Sequence, residues 1–160
     1  LTKALTRIAA TTAGLMLAAG AALVNAPSAS ALVSGPQHSV ATDKCLGIYG
    51  NVPFDGTAAV IWGCNGNADQ NWQLTGTGGG YYQLQNGNSE CLGIYAGDAT
   101  QWNCNGHDDQ QWYIDYPAGS SSAMLRSKTN WTLCLTVPGN VDGSRVTLAT
   151  CAGQNNQLWY

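Results

Sequence analysis

Charge is scarce in this sequence: six basic and nine acidic residues stand among 160. Two of the basic residues, Lys3 and Arg7, lie in the first segment, so the remainder carries a net charge of −5. That balance disfavours nucleic acid, whose phosphates demand Lys and Arg. It also leaves no polybasic patch for an anionic membrane surface. With two histidines and no C-x-x-C pair, the chain offers no zinc pattern, and neither a metal nor a cofactor is expected. Nucleophilic catalysis needs a Ser or Cys paired with a His base, and no such pair can be read. A glycosidase needs two carboxylates flanking one bond. Asp108 and Asp109 are neighbours on one loop, so the chain is not expected to be an enzyme. No amphipathic helix follows residue 32. What is plentiful is Gly, Asn, Gln, Thr and Trp, a composition suited to recognition by amides and rings rather than by ions.

The first segment stands apart. Lys3 and Arg7 precede an apolar run from Ile8 to Val24, and Ala29-Ser30-Ala31 is a small-x-small site after Pro27. This predicts a secretory signal peptide over 1–31, cut after Ala31. An uncleaved membrane anchor is the rival reading. Export would leave Leu32–Tyr160, 129 residues, outside the cell, with no membrane attachment and as a monomer.

The rest is organised around one stretch. Cys64-Asn65-Gly66-Asn67-Ala68-Asp69-Gln70-Asn71-Trp72 returns as Cys104-Asn105-Gly106-His107-Asp108-Asp109-Gln110-Gln111-Trp112. It returns again, more worn, as Cys151-Ala152-Gly153-Gln154-Asn155-Asn156-Gln157-Leu158-Trp159. Each copy keeps Gln six residues and Trp eight residues after the Cys, which marks an internal repeat. An earlier cysteine opens each copy, at Cys45, Cys91 and Cys134. Six cysteines in an exported chain read as a disulfide framework with 15 formal pairings. The repeat symmetry selects Cys45–Cys64, Cys91–Cys104 and Cys134–Cys151. Each short loop closed this way contributes about 3 kcal/mol through the entropy of the unfolded chain.

A loose leader is expected over 32–38, then repeats over about 39–77, 78–119 and 120–160. Cys45-Leu46-Gly47-Ile48-Tyr49 is identical to Cys91-Leu92-Gly93-Ile94-Tyr95. Short apolar or alternating runs, such as Ala59-Val60-Ile61-Trp62 and Tyr81-Tyr82-Gln83-Leu84-Gln85, read as strands. Asn51–Thr57, Asn86-Gly87 and Val141–Ser144 read as turns. The cysteine spacing of 13 in the second repeat, against 19 and 17, marks a shortened turn. Three short repeats cannot each bury a core alone, so an all-β, closed, pseudo-threefold domain is expected, with Trp72, Trp112 and Trp159 filling its centre. A β-trefoil fits.

The three Gln-x-Trp motifs, each preceded by a paired cysteine, resemble the (QxW)3 ricin B-type lectin domain, also known as carbohydrate-binding module family 13. The resemblance covers about 39–160 and implies a sugar-binding β-trefoil with up to one shallow site per repeat. Such sites use an Asp two residues after the first Cys, an aromatic two residues before the second, and a polar residue followed by the Gln. A ring stacks on the C–H face of a pyranose, a carboxylate accepts from neighbouring hydroxyls, and an amide both donates and accepts. Here the Asp position holds Gly47, Gly93 and Thr136, while the aromatic position holds Trp62, Trp102 and Ala149. The residue before the Gln is Asp69, Asp109 and Asn156. Sugar sites are therefore expected at Trp62, Asp69 and Gln70 and at Trp102, Asp109 and Gln110. Asp69 and Asp109 would replace the lost carboxylate, and the glycines would open room for the sugar or for a different orientation. The third repeat is expected to be structural. Tyr49 and Tyr95 either flank these sites or pack. The alternative is a trefoil that has lost sugar binding and serves as a protein-interaction or inhibitor scaffold.

Overall fold

The computed structural model describes residues 32–160, so the predicted signal peptide lies outside the described residues. Among the described residues no helix is long and apolar enough to cross a membrane. The only helical pieces among them are single 3-10 turns. The strands are β1 (Cys45–Ile48), β2 (Ala59–Trp62), β3 (Trp72–Gly78), β4 (Tyr81–Asn86), β5 (Glu90–Tyr95), β6 (Asp98–Asn103), β7 (Trp112–Asp115), β8 (Met124–Ser127), β9 (Leu133–Thr136), β10 (Ser144–Arg145) and β11 (Thr147–Thr150).

Two layers result, as the repeats require. One is a ring: β3 pairs with β4, β4 with β7, and β7 with β8. Ala123 then bridges to Trp159, Ser39 to Trp159, and Gly35 back to Trp72. The other layer is three hairpins, β1–β2, β5–β6 and β9–β11, each tied by a disulfide. This is the expected β-trefoil, with the three expected bridges. The segment 32–38 is not a loose leader. Gly35 and Trp72 exchange backbone bonds of 2.7 and 3.1 Å, and His38 and Tyr160 exchange bonds of 2.9 and 3.1 Å, which completes the ring.

The core repeats with the sequence. Trp72, Trp112 and Trp159 have no exposed surface, nor do Leu46, Leu92 and Leu135. Each indole N–H donates to the backbone carbonyl of its own repeat's leucine, at 2.9, 3.0 and 3.4 Å. A buried Trp needs such a partner, and this one joins ring to hairpin. Between the hairpins lie Ala59, Ala99 and Val146, five residues before each second cysteine and fully buried. Val146 donates to Ala59 O at 2.9 Å and Ala99 to Val146 O at 3.0 Å, so small side chains are what lets the hairpins meet.

Candidate functional site

The organising stretch forms a loop and a 3-10 turn in every repeat, at Ala68–Gln70, Asp108–Gln110 and Asn155–Gln157. In the first two repeats Asn65 and Asn105 turn the chain by accepting from the backbone N–H two residues on, at 2.9 and 2.8 Å. The Gln side chain then clamps the loop. Gln70 Oε1 accepts from Asn65 N at 2.9 Å, and its Nε2 donates to Gly63 O at 3.2 Å. Gln110 does the same with Asn105 N at 3.0 Å and Asn103 O at 2.9 Å. Gln157 repeats the pattern with Ala152 N and Thr150 O at 2.7 and 2.9 Å. Each Nε2 carries two hydrogens. In the third repeat the second acceptor is Thr136 Oγ1, at 3.0 Å. In the other two, glycine stands at that position and supplies no acceptor. The glutamines are braces first, with one N–H of Gln70 and of Gln110 left over.

In repeat one the predicted residues come together. Trp62, Asp69 and Gln70 line one shallow cavity of about 240 Å³ with Asn51, Asn65 and Asn67. Trp62 is 40% exposed and Asp69 only 5%. Asp69 Oδ2 accepts from the backbone N–H of Ile48 at 2.8 Å. Its other oxygen, Oδ1, is buried with no partner among the described residues. An unpartnered buried carboxylate oxygen is costly, and a donor from a ligand would satisfy it. The expectation for Gly47 needs correction. A Cβ there would lie 2.6 Å from Asp69 Oδ2, so the room is taken by the carboxylate itself and is not left for a sugar.

Repeat two brings its predicted residues together around Gly93. A Cβ there would lie 3.2 Å from Gln110 Cγ, 3.5 Å from Asp109 Oδ2 and 3.6 Å from Trp102 Cδ1. Trp102 is half-buried, its N–H donating to Thr100 Oγ1 at 2.9 Å. Tyr95 lies beside it, ring centroids 5.7 Å apart, and both Tyr95 and Tyr49 are exposed. Tyr95 therefore flanks Trp102. His107 and Asp108 are exposed on the turn.

Repeat three is closed. Thr136 Oγ1 donates to Cys134 O at 2.8 Å while accepting from Gln157. The backbone N–H of Val137, equivalent to that of Ile48, donates to the Asn156 carbonyl at 2.8 Å. With Ala149 at the aromatic position, no ring is available there. His38 lies 3.6 Å from Cys64 Sγ, but that sulfur is in a disulfide and offers no thiolate to a metal.

Sequence reasoning missed Asn51, Asn65 and Asn67 as lining residues. Their Asn and Gly composition signalled only turns.

A family model described as "Ricin-type beta-trefoil lectin domain" matches residues 33–159. Among solved structures, the chain is similar to ThreeFoil, a designed threefold-symmetric protein, with a TM-score of 0.72 and 25% identity over 78% of this chain and 94% of that one. It is similar to the Rhizoctonia solani agglutinin, with a TM-score of 0.68 and 19% identity over 80% of this chain and 94% of that one. The exo-β-1,3-galactanase 1,3Gal43A from Clostridium thermocellum gives a TM-score of 0.72 and 24% identity over 79% of this chain, which spans only 29% of that enzyme. No curated protein matches the chain.

Proposed function

Because the chain belongs to the ricin-type β-trefoil lectin family, we propose that it is a secreted carbohydrate-binding module with sugar sites in repeats one and two. The observation that carries this reading is the Asp69 carboxylate, one oxygen of which is buried and unpartnered among the described residues, lining a cavity together with the Trp62 ring. A pyranose stacked on Trp62 brings hydroxyls to the Asp69 carboxylate, to Gln70 Nε2 and to the amides of Asn65 and Asn67. Trp102, Asp109 and Gln110 form the second, more open set. Single shallow sites bind weakly, and two sites on one polymer raise the apparent affinity without new contacts. Three disulfides fit an oxidising destination and support secretion of the domain from a signal peptide ending at Ala31. The domain works by binding rather than catalysis, as a monomer.

The rival reading, an interaction or inhibitor scaffold, rests on the missing family Asp at Gly47, Gly93 and Thr136. The carboxylate of Asp69 beside Gly47 weakens it. The test is a panel of glycans and insoluble polysaccharides, run with the disulfide-bonded protein and with a Trp62→Ala, Trp102→Ala double variant. Binding that the double variant loses supports the lectin. No binding to any glycan favours the scaffold.

A further inference from the structure

Trp62 and Trp102 are each held by a turn from a different repeat. Asp55-Gly56 and Asp142-Gly143 lie nine and eight residues before the second cysteine of repeats one and three. Asp142 Oδ1 accepts at 3.0 Å from the backbone N–H of Gly63, the residue that follows Trp62. Gly143, at φ +85°, lies against the six-membered ring of that indole, where an added Cβ would sit 3.5 Å from Cζ3. The arrangement recurs one repeat on. Asp55 Oδ1 accepts at 2.7 Å from the backbone N–H of Asn103, the residue after Trp102. Gly56, at φ +76°, lies against the Trp102 ring, where an added Cβ would sit 3.5 Å from Cζ2. Two residue types, at one offset, engage one pair of targets twice.

The third case is informative because it fails in both parts. The repeat-two hairpin is shortened to a two-residue turn, Ala96-Gly97, with φ values of +52° and +88°. It has no Asp-Gly pair and reaches only as far as Leu148, whose N–H donates to Gly97 O at 3.2 Å. The residue it would have held is Ala149, not a tryptophan. Ring and latch are present together twice and absent together once.

We infer that Asp55-Gly56 and Asp142-Gly143 are positioning pairs for ligand stacking, so that each sugar site is a composite of two neighbouring repeats. The inference rests on the reading of Trp62 and Trp102 as stacking platforms. The aspartate fixes the backbone next to the ring. The glycine adopts a left-handed conformation that disfavours any side chain, and so brings a bare backbone against the indole. Repeat three thus sets the platform of repeat one, and repeat one that of repeat two.

The test uses the disulfide-bonded protein with Asp142→Ala, Asp142→Asn, Asp55→Ala and Asp55→Asn. Amide exchange at Gly63 and Asn103 and the indole N–H resonances of Trp62 and Trp102 report the latch without any sugar. Binding of a glycan captured by the wild-type protein reports the site. Asp142→Ala is expected to speed Gly63 exchange about tenfold, shift the Trp62 indole signal and weaken repeat one about tenfold while leaving repeat two unchanged. Asp55→Ala should mirror this at Asn103, Trp102 and repeat two. The Asn variants, whose side-chain oxygen still accepts, should recover most of each loss. Unchanged exchange and indole signals overturn the inference, as does equal weakening of both sites by one variant. If the wild-type protein captures no glycan, the lectin reading falls, and unmoved indole signals in the Ala variants would take the latch with it.

Discussion

Replacing Gly47 with alanine tests the placement of the Asp69 carboxylate. Gly47 is not among the glycines with left-handed backbone, so alanine brings no conformational penalty there. The cost is spatial. The new Cβ would meet Asp69 Oδ2 at 2.6 Å and Gln70 Cγ at 3.0 Å, inside the roughly 3.5 Å at which nonbonded atoms settle. Gln70 cannot yield, because both ends of its amide are clamped. The carboxylate must move, and its bond to Ile48 N–H breaks. A hydrogen bond to a charged group contributes about 1.5–3 kcal/mol, and overpacking costs about 1–3 kcal/mol where it is not relieved. Since the movement that breaks the bond relieves the overlap, the two do not add, and the expected loss is about 2 kcal/mol. In an Asp69→Ala background the carboxylate overlap is gone and only the approach to Gln70 Cγ at 3.0 Å remains, so the same substitution should cost clearly less, about 1 kcal/mol. Denaturant unfolding of the four proteins, with bridges intact, gives the coupling from the two differences. Gly93→Ala is the control, with nearest atoms at 3.2 and 3.5 Å and an expected cost below about 1 kcal/mol. Equal cost of Gly47→Ala in both backgrounds would refute the placement of the carboxylate.

Other outcomes follow from the same geometry. Trp72→Ala or Trp112→Ala should cost about 3–5 kcal/mol by calorimetry or denaturation, since each ring is fully buried and its N–H bond is lost too. Bonds from Lys44 and Gly63 hold the Asp142 carboxyl below its ordinary value. A depressed carboxyl contributes above its unfolded value and loses that contribution as pH falls through the folded one. Acid titration of the Gly63 amide signal should therefore show release of the latch below the ordinary aspartate range, and Asp142→Asn should abolish that step. Burial first, and then Asp55, raise the Glu90 carboxyl, whose Oε2 is buried without a partner among the described residues. Ionised Glu90 thus costs stability at neutral pH and ceases to do so below its unfolded value. Glu90→Gln should raise the melting temperature at pH 7 and leave it unchanged in acid.

The core was legible because it repeats. Trp72, Trp112 and Trp159 announce themselves by a fixed distance from a cysteine, and the bridges follow from the same spacing. The bridging segment at 35–39 was not legible. Its residues lack alternation, and its partners Trp72 and Trp159 lie far along the chain. The site was legible as a set of residues but not as an arrangement. The family resemblance put Trp62, Asp69 and Gln70 on one list, yet only their positions in the fold show that Asp69 fills the space beside Gly47. The Asp-Gly pairs read as ordinary turns because their targets belong to another repeat, and a pattern sought within one repeat cannot reveal a contact between two.

The closure of the ring sets an order of events. His38 bridges the nearby Cys45 on one edge, but on its other edge its partner is Tyr160, and Val40 donates to Leu158. As a ribosome releases this chain, each bridged hairpin has its partner strand within a few seconds of synthesis, at roughly 5–20 residues per second. The edge of the 35–40 segment that meets Leu158–Tyr160 waits through nearly the whole domain. Loop-closure entropy falls on that seam, so the seam should be the slow, late step of folding. It is also the natural place to cut and rejoin the chain. Linking the ends across the His38–Tyr160 pair and opening the Gly78–Gly80 turn would move the seam between repeats without changing the ring, and would shift which repeat assembles last.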